Sequence, residues 1–379
     1  AQYYEQGGQG EQAAKYLIRA GQQALQLGGY PAAQEAFERA YQYTPEDFTL
    51  LLGLGETLYY SAGLDAAQPY LKNALAQTTD EVQRVEALAV IGEVYSSDGQ
   101  YDQARQMLSE ALPLARIQAA QAEVNRALLS RVLSGLGSVG WRQGTLEEAE
   151  TFLQESLDIA RDIGHRRDEL AALNQLGIVS WLQASRLPAK LDQAESCWQA
   201  LLTLAQQVGY QEWEMRALSN LATVVEQRPI LDRADYRKMS DLFQQALAIA
   251  HQLRHATYIA HYNSNLAGAA IYLKDFKQAR QYILESMNTA LRINAKPDLA
   301  MGLVYYARYL GTQGQIEQAL AYLGLANNQH EASAVLKAEV TQTLEHLNIL
   351  PESAEAGMMA GENLEFDTVV REVIAALED

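Results

Sequence analysis

One pattern recurs eight times along the chain and dictates its helical character: a bulky residue, a small one three places on, a large apolar one four beyond that, and a small one three later. The copies start at Tyr30, Leu64, Tyr101, Leu146, Leu191, Tyr236, Phe276 and Ile316. The first reads Tyr30, Ala33, Phe37, Ala40; the third reads Tyr101, Ala104, Leu108, Ala111. Offsets of three, four and three place these residues on one face of an α-helix. A helix that returns with the same apolar face needs a neighbour each time, so the pattern predicts a stack of helical hairpins. Stacks of this kind typically bind along a surface rather than catalyse.

The partner helix is also visible. Nine residues before most of these starts stands a small residue, usually after a bulky apolar one: Leu54-Gly55, Ile91-Gly92, Leu136-Gly137, Leu266-Ala267 and Tyr306-Ala307. Gly21 keeps the same offset in the first unit. Leu176-Gly177 and Leu221-Ala222 lie five residues further from their starts, with the insertions around Pro188 and Pro229. Small residues let two helix axes approach closely while the neighbouring Leu or Ile fills the groove beside them. Gly28, Gly63, Gly99, Gly144 and Gly314 fall between the two helices, where positive φ closes a helix cheaply.

Leu-Gly on a first helix, with Ala, a large apolar residue and Ala on a second, resembles the tetratricopeptide repeat, whose period is about 34 residues. Tyr30 to Leu64 matches that length, and later spacings stretch, as from Leu146 to Leu191. Ser156, Ser286 and Met239 replace the expected Ala, and Trp198 fills a large-apolar position; these read as local repacking. The resemblance implies an all-α, right-handed α-solenoid of about eight helical hairpins over residues 1–350, closed by a capping helix at 329–348. Residues 351–379 are expected to form a small-residue linker, around Ala354 to Gly361, and a short amphipathic helix, Leu364 to Leu377.

Composition narrows the chemistry. Among 379 residues the formal net charge is -18, which repels a phosphate backbone and argues against direct nucleic-acid binding. A single cysteine, Cys197, excludes an intramolecular disulfide and any multi-thiolate metal site; beside Trp198 it reads as core. No apolar run reaches membrane-spanning length and no charged-then-apolar leader opens the chain, so a cytoplasmic location is the expectation. The opening Ala1-Gln2-Tyr3-Tyr4-Glu5 lacks Met and an N-cap, and is expected to be a cut through a longer polypeptide; a helix is expected from Glu11 to Leu27.

Motifs with possible chemistry have competing structural explanations. Gly135-Leu136-Gly137-Ser138-Val139-Gly140 formally fits the dinucleotide fingerprint, but that chemistry needs a strand before the glycines and a helix opening after them. Here Leu136-Gly137 is a helix-packing pair. No P-loop sequence occurs. His251 and His255, four apart with His261 nearby, could chelate a metal, yet no third ligand is apparent; an exposed helix-end pair is the simpler account. No catalytic constellation of nucleophile, base and orienting acid is apparent, and no cofactor or metal is expected. Trp141 and Trp181 share an offset four beyond their Leu-Gly pairs and are expected to stack in neighbouring units; Trp198 and Trp213 complete a cluster that serves either core packing or an aromatic ligand platform.

In tetratricopeptide arrays the first helix of each unit lines the inner surface. By that register Arg131, Arg216 and His261 form one column, Asn174, Asn220 and Asn265 a second with Gln175 beside it, and Tyr305 and Arg308 continue the surface. Arg and Asn can bond a peptide backbone or carboxylates without demanding a sequence. The stripe is expected to be a locally non-acidic groove in an acidic protein, against the alternative of an ordinary hydrated helix face.

Two stretches carry a narrower resemblance: Glu11 to Leu25 with Gly29 to Ala40, and Ala360 to Val370. They are similar to the helical-repeat region and tail of bacterial STAND-type signalling ATPases, which include transcriptional activators and multidomain adenylate cyclases. That resemblance implies a non-enzymatic sensor module, the C-terminal part of a larger ATPase regulator, binding an effector or protein partner on its concave face, with oligomerisation through the parent protein. A free-standing adaptor holding a peptide or protein tail is the alternative.

Overall fold

In the computed structural model, residues 1–26, 29–228, 230–329 and 333–378 are described. Leu27, Gly28, Pro229 and residues 330–332 of the expected capping segment lie outside them. Among the described residues all regular structure is helical, and no helix is long and apolar enough to cross a membrane. The chain divides into two compact units, Ala1–Cys197 and Trp198 onward.

The first unit contains α1 (Gln2–Gln6), α2 (Gly10–Gln26), α3 (Tyr30–Tyr41), α4 (Phe48–Ala62), α5 (Leu64–Ala76), α6 (Glu81–Ser97), α7 (Tyr101–Gln121), α8 (Arg126–Gln143), α9 (Leu146–Asp162), α10 (Arg166–Gln183) and the start of α11 (Lys190–Val208). The second continues α11 and adds α12 (Gln211–Glu226), α13 (Arg233–Gln252), α14 (Ala256–Leu273), α15 (Phe276–Arg292), α16 (Lys296–Thr312), α17 (Ile316–Asn327), α18 (Ala334–His346), α19 (Pro351–Met359) and α20 (Phe366–Glu378). Helices α3, α5, α7, α9, α15 and α17 begin on the first residue of the repeated pattern.

Several hairpins of the first unit are locked by the large apolar residue of the second helix resting where the first helix lacks a side chain. A Cβ added at Gly55 would come within 2.6 Å of Leu71, and one at Gly92 within 2.6 Å of Leu108. Phe37 sits against both Gly21 and Gly53, so one ring joins two successive first helices. Leu108 and Phe37 are completely buried, and burial of such a side chain contributes roughly 1.5–3 kcal/mol.

Two of the Ala-to-Ser departures have a physical cause. Ser156 Oγ donates to the Ser130 carbonyl at 2.9 Å, and the two hydroxyls lie 3.0 Å apart. Ser286 repeats the device with Ser264 at 2.8 Å and the Ala260 carbonyl at 2.9 Å. These buried hydroxyls satisfy one another across a hairpin, so the small position tolerates a polar atom.

First helices also touch one another. In the first unit α2, α4, α6, α8 and α10 form a continuous row, and in the second α14, α16 and α18 do the same. Among the described residues the second helices make no comparably extensive mutual contact. Each of these rows of first helices therefore forms a close-packed face.

The end of the chain differs from the linker expected there. Pro351–Met359 is a helix, followed by a 3-10 turn, Ala360–Asn363, and both pack on α17. The approach is so close that a Cβ on Gly324 would collide with the Met358 carbonyl. Small residues around Ala354 permit helix-on-helix contact; Ala354 itself is fully buried. Helix α20 buries Val369, Val370, Val373, Ile374 and Leu377, and Arg280 donates to its terminal carbonyls of Ala376 and Leu377 at 3.1 and 3.2 Å.

Candidate functional site

In the first unit the first-helix face carries charge of both signs. Arg131, on α8, grips Glu93 on α6 with two bonds, Nε to Oε1 at 2.7 Å and Nη2 to Oε2 at 2.5 Å. Glu93 holds the guanidinium pKa above its usual value against the opposing effect of burial, with Glu56 and Glu86 adding to it. Burial raises the Glu56 carboxyl, and Glu93 and Glu86 push it further while Arg131 opposes. Burial likewise raises Glu86 and Asp168. The surroundings of Arg131 are thus acidic, which corrects the expectation of a locally non-acidic groove. Gln175 donates to Ser134 Oγ at 3.1 Å, and its own oxygen is buried without a partner; Asn174 is 9% exposed.

In the second unit Arg216 pairs with Glu212 one turn away at 2.7 Å, and its guanidinium lies 5.4 Å from the Trp213 ring and 6.0 Å from that of Tyr258. Asn220 is half-buried on the same helix. His261 is exposed beside Asn265, their side-chain nitrogens 3.2 Å apart, and desolvation by the surrounding protein lowers its pKa.

Tyr305 and Arg308 do not continue an open surface. They are 4% and 1% exposed. Arg308 Nη2 donates to Glu339 Oε2 at 2.6 Å and to Thr343 Oγ1 at 2.8 Å, while Nε donates to Thr343 Oγ1 at 3.0 Å. Its charge rests 5.3 Å from the Tyr305 ring and 5.6 Å from that of Tyr272. The arginine is used to fix α18 onto α16, because a buried guanidinium must be paired and bonded.

Beside this pair lies a recess where Glu226, Tyr236, Asn265, Tyr272, Glu339 and Gln342 meet an apolar side formed by Leu231, Met239, Phe243 and Ala269, with about 20 Å³ open to a water-sized group. Tyr236 and Tyr272 stack at 4.3 Å along one wall. Burial, with the charge of Glu339 adding to it and Arg308 opposing, raises the Glu226 carboxyl to about 7.

Of the residues here, Glu56, Glu93, Glu86, Glu226, Glu339 and Gln342 were not singled out from sequence. A register signal exists for three: Glu56 and Glu93 directly follow the small residues Gly55 and Gly92, the place Arg308 holds after Ala307, and Glu86 occupies the Arg131 column. Glu339 and Gln342 lie on α18, beyond the repeated pattern.

Other motifs resolve into packing. Gly135, Gly137 and Gly140 lie inside α8, with Leu108, Leu153 and Ala149 against them; no strand precedes them among the described residues. Trp141 and Trp181 share no ring contact there, contrary to the expected stacking; Trp141 instead carries the Arg142 guanidinium at 4.2 Å. Trp198 is 2% exposed. Cys197 is only half-buried, not core, and burial raises its thiol pKa. His251 and His255 are exposed.

Residues 46–117 match the sequence family described as Tetratricopeptide repeat, and that segment spans α4 to α7 with the hairpin geometry given above. The fold is that of tetratricopeptide repeats. A Signal Transduction ATPase with Numerous Domains (STAND) protein with a tetratricopeptide repeat sensor, from Pyrococcus horikoshii, is similar at 16% identity and TM-score 0.59, over 92% of this chain and 54% of that one. The chain therefore spans about half the length of that protein. A Rap protein complexed with Competence and Sporulation Factor is similar at 14% identity and TM-score 0.58, over 97% of this chain and 99% of that one. The apo form of RapI follows at 15% and 0.55, over 79% and 98%. At these identities the likeness is one of tetratricopeptide fold. No curated protein matches the chain in sequence.

Proposed function

We propose that the tetratricopeptide stack is a non-enzymatic interaction module whose first-helix face holds a segment of a protein partner or a small effector. The observation that carries this reading is the close packing of first helices within each unit, which brings polar side chains from successive repeats onto one face. Arg131 and Gln175 are candidate contacts on the first unit, and Arg216, Asn220, His261 and Asn265 on the second, each taken by itself; Arg308 acts beneath the surface.

The finer reading places the chain as the sensor portion of a STAND-type ATPase regulator. It is supported by fold likeness to a STAND protein that has a tetratricopeptide repeat sensor. Binding a partner better in one arrangement of the repeats than another would shift a parent protein between states. A free-standing adaptor is favoured by a different observation, the near-complete mutual coverage with a Rap protein bound to a factor.

Native mass spectrometry of the purified chain, followed by titration of whatever partner segment it retains, tests the proposal. Arg216→Ala with Asn220→Ala is expected to weaken that segment while circular dichroism stays unchanged. Unaltered affinity would reject the face. A P-loop domain in the coding region upstream of Ala1 would favour the sensor, and a start codon there the adaptor.

A further inference from the structure

The recess bounded by α12, α13, α14, α16 and α18 sets apolar residues such as Met239, Phe243 and Ala269 beside polar and aromatic ones, and its charge is unbalanced. Two carboxylates, Glu226 and Glu339, face one guanidinium. Arg308 is committed to Glu339 at 2.6 Å, which leaves Glu226 as the carboxylate without a basic partner in contact. Glu226 is exposed at the mouth, and Arg308, 1% exposed, forms the floor. Tyr272 and Tyr305 already carry the Arg308 guanidinium and Tyr272 stacks on Tyr236, so Tyr236 is the ring that can attract a further cation. Asn265 and Gln342 add amide dipoles at the rim.

Size restricts the occupant. A site of about 20 Å³ open to a water-sized group takes one small headgroup, since one water needs roughly 10–15 Å³ on this measure. Metabolite pockets are far larger, on the order of 300–1,000 Å³. A planar guanidinium is also too broad, whereas an ammonium is a compact point charge on a slender stem.

We propose that this recess seats a single primary ammonium group, bonded by Glu226 beside the ring of Tyr236. A lysine side chain of a bound protein segment and a free alkylamine share that chemistry. The inference deepens, and rests on, partner binding by the first-helix face. Desolvation by the surrounding protein and the charge of Glu339 raise the Glu226 carboxyl although the residue reaches solvent, so amine binding should strengthen as the carboxyl ionises. Arg308, Glu339, Tyr236, Tyr272, Tyr305 and His346 are the other titratable groups facing or adjoining the recess among the described residues.

The test uses the full chain and N-acetyl-lysine amide, with n-butylammonium and the ε-acetylated lysine amide as comparisons. Side-chain amide signals of Asn265 and Gln342 are followed by NMR. Saturable shifts are expected with both amines and none with the acetylated analogue, a comparison that needs no mutation. Glu226→Gln is expected to weaken binding about tenfold, by loss of an ion pair in a partly desolvated site. Tyr236→Leu should weaken it without removing the carboxylate. Tighter binding of N-acetyl-lysine amide than of n-butylammonium would assign the recess to a polypeptide lysine, and the reverse to a free amine. Equal response to the acetylated analogue, or unchanged affinity in a folded Glu226→Gln chain, overturns the subsite. A partner segment held equally by wild type and Glu226→Gln but lost in Arg216→Ala would remove the subsite and keep the wider function. Amine binding in a chain whose first-helix face retains no partner would do the opposite.

Discussion

Arg308 and Glu339 join α16 to α18 through a 2.6 Å ion pair in which the arginine side chain is 2% exposed and the glutamate 14%. Removing one member of a buried pair leaves the other charge uncompensated, a loss of about 3–5 kcal/mol. Arg308→Ala should therefore destabilise the second unit by that order and release α18 first. Chemical denaturation gives the magnitude, and hydrogen exchange along Val340 and Leu344 locates the loss. Protection of α18 equal to wild type would show that apolar contacts alone hold it.

Ser130 and Ser156 make a second, milder test. Ser156→Ala removes one hydroxyl of the pair but leaves the Ser156 backbone carbonyl 3.1 Å from Ser130 Oγ as its acceptor, so it should cost about 0.5–1.5 kcal/mol, the worth of one hydrogen bond. The double change to Ala removes both hydroxyls and should recover most of that loss, since removing both partners is nearly neutral. A double-mutant cycle read by urea midpoints checks it. Strict additivity of the two single changes would mean the hydroxyls do not depend on each other.

The contrast between these pairs explains what the sequence disclosed. Periodicity reports packing, because Phe37 and Leu108 must meet a residue without bulk on the neighbouring helix, and the spacing of that contact is fixed by helix geometry. The hairpins and their small-residue contacts were therefore legible. Register also located the first-helix face, including Arg131, Arg216 and His261. It could not give the partners. Glu93 lies 38 residues before Arg131 and Glu339 31 residues after Arg308, and only the stacking of successive first helices brings them together. Net charge was equally blind to place: a total of -18 did not reveal that Glu56, Glu86 and Glu93 gather around Arg131. The helix at Pro351–Met359 was hidden for another reason, since its small residues signal close contact with α17 as readily as a linker.

Lys274 closes α14 in the left-handed region at φ 62°, the place Gly144 fills in α8 at φ 82°. A residue with a Cβ is disfavoured there by roughly 1–2 kcal/mol, while glycine loses about 0.5–1 kcal/mol of chain entropy on folding. Lys274→Gly should consequently raise stability by about 0.5–1 kcal/mol. Gly144→Ala should lower it by a similar amount. Thermal unfolding of both variants decides the matter, and a Lys274→Gly chain less stable than wild type would mean that the lysine side chain contributes a compensating contact.

Glu226 makes stability depend on pH in a direction opposite to that of a salt-bridged carboxylate. Its folded pKa is raised to about 7 from an ordinary value of 4.5, by burial first and then by the charge of Glu339, with Arg308 opposing. The folded chain thus binds the proton more tightly than the unfolded chain does. Its contribution is greatest below the unfolded value and is lost as pH rises from about 4.5 through about 7, then stays constant. Glu56, Glu86 and Asp168 are displaced in the same direction, so the difference between two chains is the useful quantity. Glu226→Gln keeps the shape and removes the titration. The variant's melting temperature minus that of wild type should therefore grow between about pH 5 and about pH 8. A difference independent of pH would mean that water reaching the mouth of the recess solvates the Glu226 carboxylate as fully as bulk solvent does.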